Sequence, residues 1–559
     1  MRDRFSPLLL GTAAIMVVGC GGGADVTKID DDPQHGDDPF AKLVQDLSQL
    51  TTPCVYNSSA RQLTVTLAPN EMALIKRFQG AATPADDFVL VNGFDCAGTT
   101  VPAGTTNTPV QKVNVVGSTG NESVIFDFTE GVFALSTAAT NGITVDLAGG
   151  TTDMLGIRLG ALDDSVTYGS SGVAIINASA PADTFKDITA TNVEFNKIML
   201  GAGNDTVTAS GNSVTGGGVF LPTGTLELYG GEGSDSFLEG STKTFRELIS
   251  GGGGSDVVTY SSRTSAVSVT VSTTAVASAN DGDLSSSAGN GPETDDIKDD
   301  IESIIGTLGN DSLVGGGSQG ILLTGGLGND TLAGGLGADT LSGGAGNDLF
   351  FEGIGNTTGA DVFIGSDGID TIDFSGRSNG ITCTLDGTGD DGETSEGDNV
   401  GADIENIVGG AGSDILTGSA RNNIIIGGLG ADTIHGGAGV DTMSYSNYTV
   451  GVTVALALTT SNSDSSQTNG ASGELDQIFG DIENLIGGSG ADSLAGNSGP
   501  NEIVGAAGND SLVGGAGDDV LEGGAAGNTE GNVLDCGAGD DIGYAQGTGV
   551  GASKLDCEF

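Results

Sequence analysis

The stretch GGLGNDTLAGGLGADTLSGGAGNDLFF, residues 325–351, is a tandem array of three units, each nine residues long. Every unit has glycine at positions one, two and four, aspartate at position six, and Leu or Phe at position eight. Glycine adopts positive φ without steric cost, so we expect these three glycines to form a sharp turn. The last three residues then form a short strand whose apolar side chain points inwards. Units repeated in register predict a solenoid.

The same nine-residue phase recurs over much of the chain. Dense blocks lie at 306–350, 409–444 and 487–522, and sparser units occur from about residue 200 onwards. Two units keep the spacing but carry Asn423 and Asn501 at position six. The aspartates that we take as candidate metal ligands are Asp205, Asp235, Asp256, Asp311, Asp330, Asp339, Asp348, Asp370, Asp414, Asp432, Asp441, Asp492, Asp510, Asp519 and Asp541.

The chemistry of these turns favours one class of metal. Glycine-rich turns bring main-chain carbonyl oxygens inwards, and the position-six aspartate adds a carboxylate. Ca²⁺ binds six to eight such oxygens in irregular geometry, whereas Mg²⁺ requires a tight octahedron and loses its water reluctantly. We therefore expect Ca²⁺, bound between neighbouring turns, to be the cofactor.

The charge balance of the chain argues against some classes of partner and favours a divalent cation. The chain has 18 Lys and Arg against 74 Asp and Glu, a formal net charge of −56. Such a surface repels nucleic acid and anionic lipid but attracts divalent cations. Hydrophobic residues make up 37% of the chain, yet aromatics only 5%, and Trp is absent. This composition predicts the thin Val, Ile and Leu core of a solenoid rather than one thick globular core.

The N-terminus has the pattern of a bacterial lipoprotein signal. Arg2 and Arg4 precede an apolar stretch, 8–18, that is too short to span a bilayer, and the stretch runs into Val-Val-Gly-Cys20. We expect cleavage after residue 19 and lipidation of Cys20, with 20–50 as an acidic tether. The chain would then be exported and held at the outer membrane or cell surface, touching the membrane through its lipid alone.

The remaining cysteines are expected to form two disulfide bonds. In an exported chain, pairing by proximity joins Cys54 to Cys96 and Cys536 to Cys557. Cys383 lies in an alternating strand pattern and is expected to be a small buried hydrophobe.

Three longer modules interrupt the nonapeptides. They open with an aromatic residue and serine at Tyr260, Phe374 and Tyr445, continue through an acidic loop, and end in a DIE segment. We interpret these wide modules, residues 260–305, 374–408 and 445–486, as broader solenoid coils. The predicted organisation is a signal peptide (1–19), a tether (20–50), a disulfide-stapled β cap (51–115), a degenerate solenoid (116–250), the repeat array with its inserted modules (251–535), and a C-terminal disulfide cap (536–559).

Before residue 200 the repeat is degenerate. Glu122 takes the aspartate place in one unit, and the unit of Asp164 has Leu162 where glycine belongs. We expect these turns to stack as strands rather than to bind calcium.

The repeats resemble those of the hemolysin-type calcium-binding (RTX) family from about residue 200 to 535. The resemblance implies an all-β parallel β-roll, or β-solenoid, that binds Ca²⁺. It does not imply an activity, because toxins, proteases, lipases, epimerases and adhesins share the repeat. The sequence contains no H-E-x-x-H, and GGSQG (316–320) matches G-x-S-x-G without a strand–turn–helix setting.

The leading hypothesis is a non-enzymatic, calcium-binding surface lipoprotein with a structural or adhesive role. Its array would fold on export, and its polysaccharide or protein ligand is not indicated by any residue. The alternative is an enzyme on a β-solenoid, a polysaccharide lyase or epimerase.

Overall fold

A computed structural model describes most of the chain between residues 54 and 557. The signal peptide, the tether, Cys20 and Cys96 lie outside the described residues. Within the range the gaps are 58–60, 79–87, 92–100, 103–111, 130–142, 150–151, 162, 170–171, 178–187, 192, 194, 211–224, 241–245, 272–281, 284–294, 353–358, 457–461, 464–474, 525–530, 545–552 and 556.

The described residues form short β-strands and turns and contain no helix. Accordingly, none of them belongs to a helix long and apolar enough to cross a membrane. The first strands are β1 Val55–Asn57, β2 Gln62–Thr66, β3 Met72–Phe78, β4 Phe88–Val91, β5 Val101–Pro102, β6 Lys112–Val116, β7 Ser123–Asp127, β8 Ile143–Asp146, β9 Met154–Arg158, β10 Asp164–Gly169, β11 Gly172–Asn177 and β12 Ile188–Thr191.

The middle of the chain continues in the same way as far as the second wide module. Its strands are β13 Phe195–Ala202, β14 Thr206–Ser210, β15 Thr225–Gly233, β16 Ser236–Leu238, β17 Arg246–Gly254, β18 Val257–Thr259, β19 Val267–Thr270, β20 Gly282–Asp283, β21 Asp296–Ile297, β22 Ser303–Ile305, β23 Ser312–Val314, β24 Leu322–Leu327, β25 Thr331–Ala333, β26 Thr340–Ala345, β27 Leu349–Phe351, β28 Val362–Asp367 and β29 Thr371–Asp373.

The remaining strands include the last two wide modules and the C-terminal end. They are β30 Ile381–Thr384, β31 Gly389–Glu393, β32 Asp398–Val400, β33 Asn406–Val408, β34 Ile415–Thr417, β35 Ile424–Ile426, β36 Thr433–His435, β37 Thr442–Ser444, β38 Thr453–Ala455, β39 Asn462–Ser463, β40 Gln477–Ile478, β41 Asn484–Ile486, β42 Ser493–Ala495, β43 Glu502–Val504, β44 Ser511–Ala516, β45 Val520–Glu522, β46 Val533–Ala538, β47 Ile542–Tyr544 and β48 Ser553–Leu555.

Successive coils stack through parallel strands on two faces. On one face β24, β26 and β28 pair in register, and on the other β25, β27 and β29 do the same. Leu332 pairs with Phe350, which pairs with Ile372, and all three side chains are fully buried. The apolar residue at position eight therefore points into the core, and the predicted all-β parallel solenoid is confirmed.

The N-terminal segment belongs to this stack. β2 pairs in parallel with β6 and β3 with β7, so the first coil already lies within the segment predicted as a cap. The antiparallel strands β1, β4 and β5 flank that coil. Cys54 is disulfide-bonded, while its expected partner Cys96 is not among the described residues.

Each wide module starts and ends as a solenoid coil. β19, β30 and β38 pair in parallel with strands of the next coil, β23, β34 and β42. The acidic segment then leaves the stack as an antiparallel excursion, most completely through β30, β31 and β32. β22, β33 and β41 return the chain to the parallel stack.

The C-terminal end is stapled. A disulfide joins Cys536 to Cys557, whose Cα atoms are 5.1 Å apart. Cys536 lies in β46, which stacks in parallel on β44, so the staple sits directly on the last coils. Cys383 is a buried free cysteine in β30, as expected from its strand pattern.

Candidate metal sites

The position-six aspartates lie inside the molecule. All fifteen that the sequence singles out are at most 3% exposed. Carboxylates are rarely buried this completely unless they are paired or bind a metal.

The aspartates of successive coils are linked in rows, which we call aspartate files. In one file the main-chain N–H of Asp311 donates to Oδ1 of Asp330 at 2.7 Å. The N–H of Asp330 donates to Asp348, and that of Asp348 to Asp370, both at 2.8 Å. Other files join Asp205, Asp235 and Asp256; Asp414 and Asp432; Asp492 and Asp510; and Asp519 and Asp541. The fold thus brings together carboxylates that are far apart in sequence.

The second carboxylate oxygen is what makes these residues candidate ligands. In many of them Oδ2 is buried and accepts no hydrogen bond from any described residue. A buried acceptor without a donor is costly, and a bound cation removes that cost. The aspartates concerned are Asp205, Asp235, Asp256, Asp330, Asp339, Asp348, Asp370, Asp398, Asp441, Asp519 and Asp541.

Position one of the repeat is glycine because of this oxygen. A Cβ on Gly325 would collide with Oδ2 of Asp330 and would lie 2.6 Å from the carbonyl oxygen of Gly343 in the next coil. Positions two and four have positive φ, 116° at both Gly326 and Gly328, but Gly325 does not. The expectation of positive φ at position one is therefore wrong. The first glycine leaves space in which a carboxylate and a carbonyl oxygen face each other.

Electrostatics disfavours the ionised aspartates when no cation is present. Burial, together with repulsion from the neighbouring Asp311 and Asp348, raises the pKa of Asp330 to about 7. Burial likewise raises the pKa of Asp256 to about 7, with added repulsion from Asp235 and Glu302. A divalent cation would relieve both causes, because it replaces lost hydration and offsets the neighbouring charge.

Three predicted ligands differ from the rest. Both carboxylate oxygens of Asp311, Asp414 and Asp492 accept main-chain hydrogen bonds. Their Oδ2 atoms accept from the N–H of the residue four positions earlier, at 2.6 Å for Asp311 and 2.8 Å for the other two. These residues occupy the first unit after each wide module, and their Oδ1 atoms accept from the first strand of that module.

Two members of the files, Asp164 and Asp361, keep the repeat phase but are not among the candidate ligands predicted from the sequence. Asp164 is 4% exposed, and its N–H donates to Oδ1 of Asp205 at 2.6 Å. Asp361 links Asp339 to Asp398 through bonds of 2.8 and 2.9 Å. Asp361 keeps the nine-residue phase with Asp370, and that spacing was the available signal. Asp164 therefore belongs to an aspartate file, although its unit is degenerate.

A separate buried cluster lies beside the first wide module. Oxygens of Glu239, Glu247 and Asp295 fall within 4.8 Å of one another. Tyr168 donates its hydroxyl to Glu247 at 2.5 Å, and the guanidinium of Arg263 is 3.6 Å from Glu239. Glu239 and Glu247 thus have side-chain partners, whereas Asp295 accepts the main-chain N–H of Glu247 at 3.0 Å, as in the files.

The acidic loop of the second module borders a surface cavity of about 340 Å³. Both oxygens of Asp391 in its lining accept main-chain hydrogen bonds, from Thr384 at 2.6 Å and Val400 at 2.9 Å. Glu393 lies 3.3 Å from the buried guanidinium of Arg377. These carboxylates hold the loop in shape.

Comparison with known families agrees with this geometry. A model of the RTX calcium-binding nonapeptide repeat (4 copies) matches residues 298–319, 324–358, 408–443, 479–499, 486–521 and 496–530. The chain carries RTX nonapeptide repeats. The matched stretches contain the position-six aspartates of the dense blocks, including Asp311, Asp330 and Asp348, whereas Asp370 lies outside them. No curated protein is significantly similar to the chain.

Proposed function

We propose that this chain is an exported, lipid-anchored, non-enzymatic protein whose RTX array folds when Ca²⁺ binds between successive coils. The observation that carries the calcium-binding part is the set of buried Oδ2 atoms that accept no hydrogen bond from any described residue. Those of Asp235, Asp330 and Asp519 lie near a carbonyl oxygen of the next coil. Such an array suits a structural or adhesive role at the cell surface.

Folding and calcium binding are coupled in this proposal. The ligands of one site come from neighbouring coils, so the site exists only in the folded array. The formal net charge of −56 opposes compaction until cations bind. A chain in low calcium would stay unfolded and suited to translocation, and it would fold once calcium outside the cell is available.

The test is circular dichroism of the mature chain. We expect the β-sheet signal to rise on adding CaCl₂ and to change little with MgCl₂, because carbonyl-rich cages do not supply a tight octahedron. Equal β-sheet signal in EDTA would contradict the proposal. Release of unsaturated or epimerised products from uronate polymers would instead favour the lyase or epimerase hypothesis.

Membrane attachment is tested separately, since it rests on the sequence around Cys20. Replacing Cys20→Ala should abolish lipidation and either release the protein or leave its precursor uncleaved. Cys383→Ala is the matched control, because it also removes one thiol and should keep the lipid. A Cys20→Ala protein that stays in the membrane fraction with the wild-type mass would show that this anchor is absent.

A further inference from the structure

The wide modules end in a segment that behaves like a repeat. The N–H of Asp256 donates to Oε2 of Glu302 at 2.7 Å. In the second module Asp370 donates to Glu405 at 2.9 Å. Within the array, the same N–H of a position-six aspartate donates to the carboxylate of the next aspartate. Glutamate thus takes the place of the next aspartate in the file.

The third module repeats the arrangement, with the N–H of Asp441 donating to Oε2 of Glu483 at 2.8 Å. Counting back one unit of nine residues from 306, 409 and 487 also puts glutamate at position six. The register of the solenoid therefore runs through the DIE segments.

A second observation concerns the aspartate that faces each glutamate. Asp256, Asp370 and Asp441 are at most 1% exposed, and their Oδ2 atoms accept no hydrogen bond from any described residue. Each Oδ2 lies against the first glycine of its own unit, as in the array. The buried oxygen is therefore aimed at the space between the repeat and the module.

The module supplies a carbonyl oxygen to the same space. A Cβ on Gly251 would lie 2.5 Å from the carbonyl oxygen of Asp300, and a Cβ on Gly365 would lie 2.9 Å from that of Asp403. On Gly436 it would clash with the carbonyl oxygen of Asp481. In the array a carbonyl of the next nonapeptide occupies this position.

We propose that each wide module completes a calcium site whose ligands come partly from outside the nonapeptides. Each site combines the last aspartate of a file with the glutamate and an aspartate carbonyl of the DIE segment. The mixture of carboxylate and carbonyl oxygens is what Ca²⁺ binds. The calcium assignment rests on the proposed function, whereas the place of these glutamates in the files rests on their hydrogen bonds to the aspartates. The three sets are Asp256, Glu302 and the carbonyl of Asp300; Asp370, Glu405 and that of Asp403; and Asp441, Glu483 and that of Asp481.

The coil after each glutamate ends the file. The side-chain amide of Asn423 donates to the carbonyl of Glu405 at 2.8 Å, and that of Asn501 donates to the carbonyl of Glu483 at 2.6 Å. In the first module the buried Ile321 takes this place, because the next residue, Leu322, pairs with Ser303, which follows Glu302. A neutral side chain therefore stands where the next cation would need a carboxylate.

The test compares Glu483→Gln with Glu502→Gln in the full mature chain. Both changes remove one negative charge, but Glu502 is exposed on β43. Gln at 483 keeps an oxygen that can accept the N–H of Asp441, so the fold retains its hydrogen bond. We expect equilibrium dialysis against buffered ⁴⁵Ca to show one fewer bound ion, or at least a tenfold weaker one, for Glu483→Gln alone. Glu483 is preferred to Glu405, because Glu405 also pairs with Arg421.

Glu302→Gln gives a second measurement in another module, and circular dichroism at saturating calcium checks the fold of each variant. Binding isotherms of Glu483→Gln and Glu302→Gln that match that of Glu502→Gln would overturn the module sites while leaving the array sites intact. A wild-type chain that binds no calcium would instead overturn the proposed function itself.

Discussion

The coil around Glu122 and the coil around Asp330 share one architecture but satisfy their acidic residue differently. Both stack through parallel strands with buried apolar side chains. The carboxylate of Glu122 accepts from the hydroxyl of Ser118 at 2.7 Å and from the N–H of Gly120 at 3.1 Å. Oδ2 of Asp330 accepts from no described residue.

The two coils indicate that different parts of the solenoid stabilise their buried carboxylates in different ways. In these early coils the Glu122 carboxylate accepts hydrogen bonds from its own chain, and Oδ2 of Asp127 lies 3.4 Å from the ammonium of Lys76. The repeat array leaves carboxylate oxygens for a cation. We expect the early coils to fold without metal and to serve as the template on which calcium-dependent coils stack.

The largest effect is expected from Asp330→Ala. Asp330 stands between Asp311 and Asp348 in its file, so the variant loses ligands of two sites. Each site contributes about 2.7 kcal/mol when free calcium is about 100 times its Kd, so the array should lose about 5 kcal/mol. Asp164→Ala, at the end of its file, should lose at most one site. Calorimetric titration with calcium measures how many ions each variant binds. A larger loss of bound calcium from Asp164→Ala than from Asp330→Ala would contradict this prediction.

In EDTA, the array should become more stable as the pH falls. The folded-state pKa of Asp256 rises from 3.8 to about 7 and that of Asp205 to about 6, chiefly because of burial. The metal-free fold thus binds more protons than the unfolded chain between these values, and its stability is lost as the pH rises through them. Circular dichroism in EDTA should show more β-sheet signal at about pH 5 than at about pH 7.5. In excess calcium the trend should reverse, because protons compete with calcium for the same oxygens.

A smaller effect is expected from replacing the asparagine at the end of an aspartate file by an aspartate that could bind a cation. Asn501→Asp replaces an amide donor that faces the carbonyl of Glu483 by a carboxylate. Without metal the two acceptors face each other, which should cost about 1–3 kcal/mol. With calcium the variant should bind one additional ion. If equilibrium dialysis shows the same number of bound calcium ions as in the wild type, the missing negative charge at residue 501 is not what ends the file.

The smallest effect is expected in the early coils. Glu122→Gln replaces one carboxylate oxygen by an amide, so a single main-chain bond from Ser118 or Gly120 is lost, at about 1 kcal/mol. Chemical denaturation should detect this loss, and calcium stoichiometry should stay at the wild-type value. A loss of bound calcium would place the early coils among the metal sites.

The nine-residue period predicts the strands and the inward-pointing residues well, because each unit contains one turn and one short strand. Leu332 and Phe350 lie in the core where the pattern places them. The role of the first glycine was not predictable, since it depends on where the Asp330 carboxylate lies above Gly325.

Two features needed the stacked structure. Oδ2 of Asp414 already accepts the main-chain N–H of Gly410, and the spacing of the repeats does not predict this hydrogen bond. Glu302 keeps the phase but lacks the surrounding glycines, so the repeat pattern passed over it. A further row, in which the N–H of Asn329 donates to Oδ1 of Asn310 at 2.9 Å, explains the polar residue at position five.

Hydrogen exchange followed by mass spectrometry, in calcium and in EDTA, tests the central claim most directly. The amides of Asp330 and Asp348 donate within their aspartate file, while that of Glu122 donates to Asp153 at 2.7 Å. Removing calcium should sharply increase exchange across 322–351 and leave 112–128 nearly unchanged. Undiminished protection of 322–351 in EDTA would contradict calcium-dependent folding of the array.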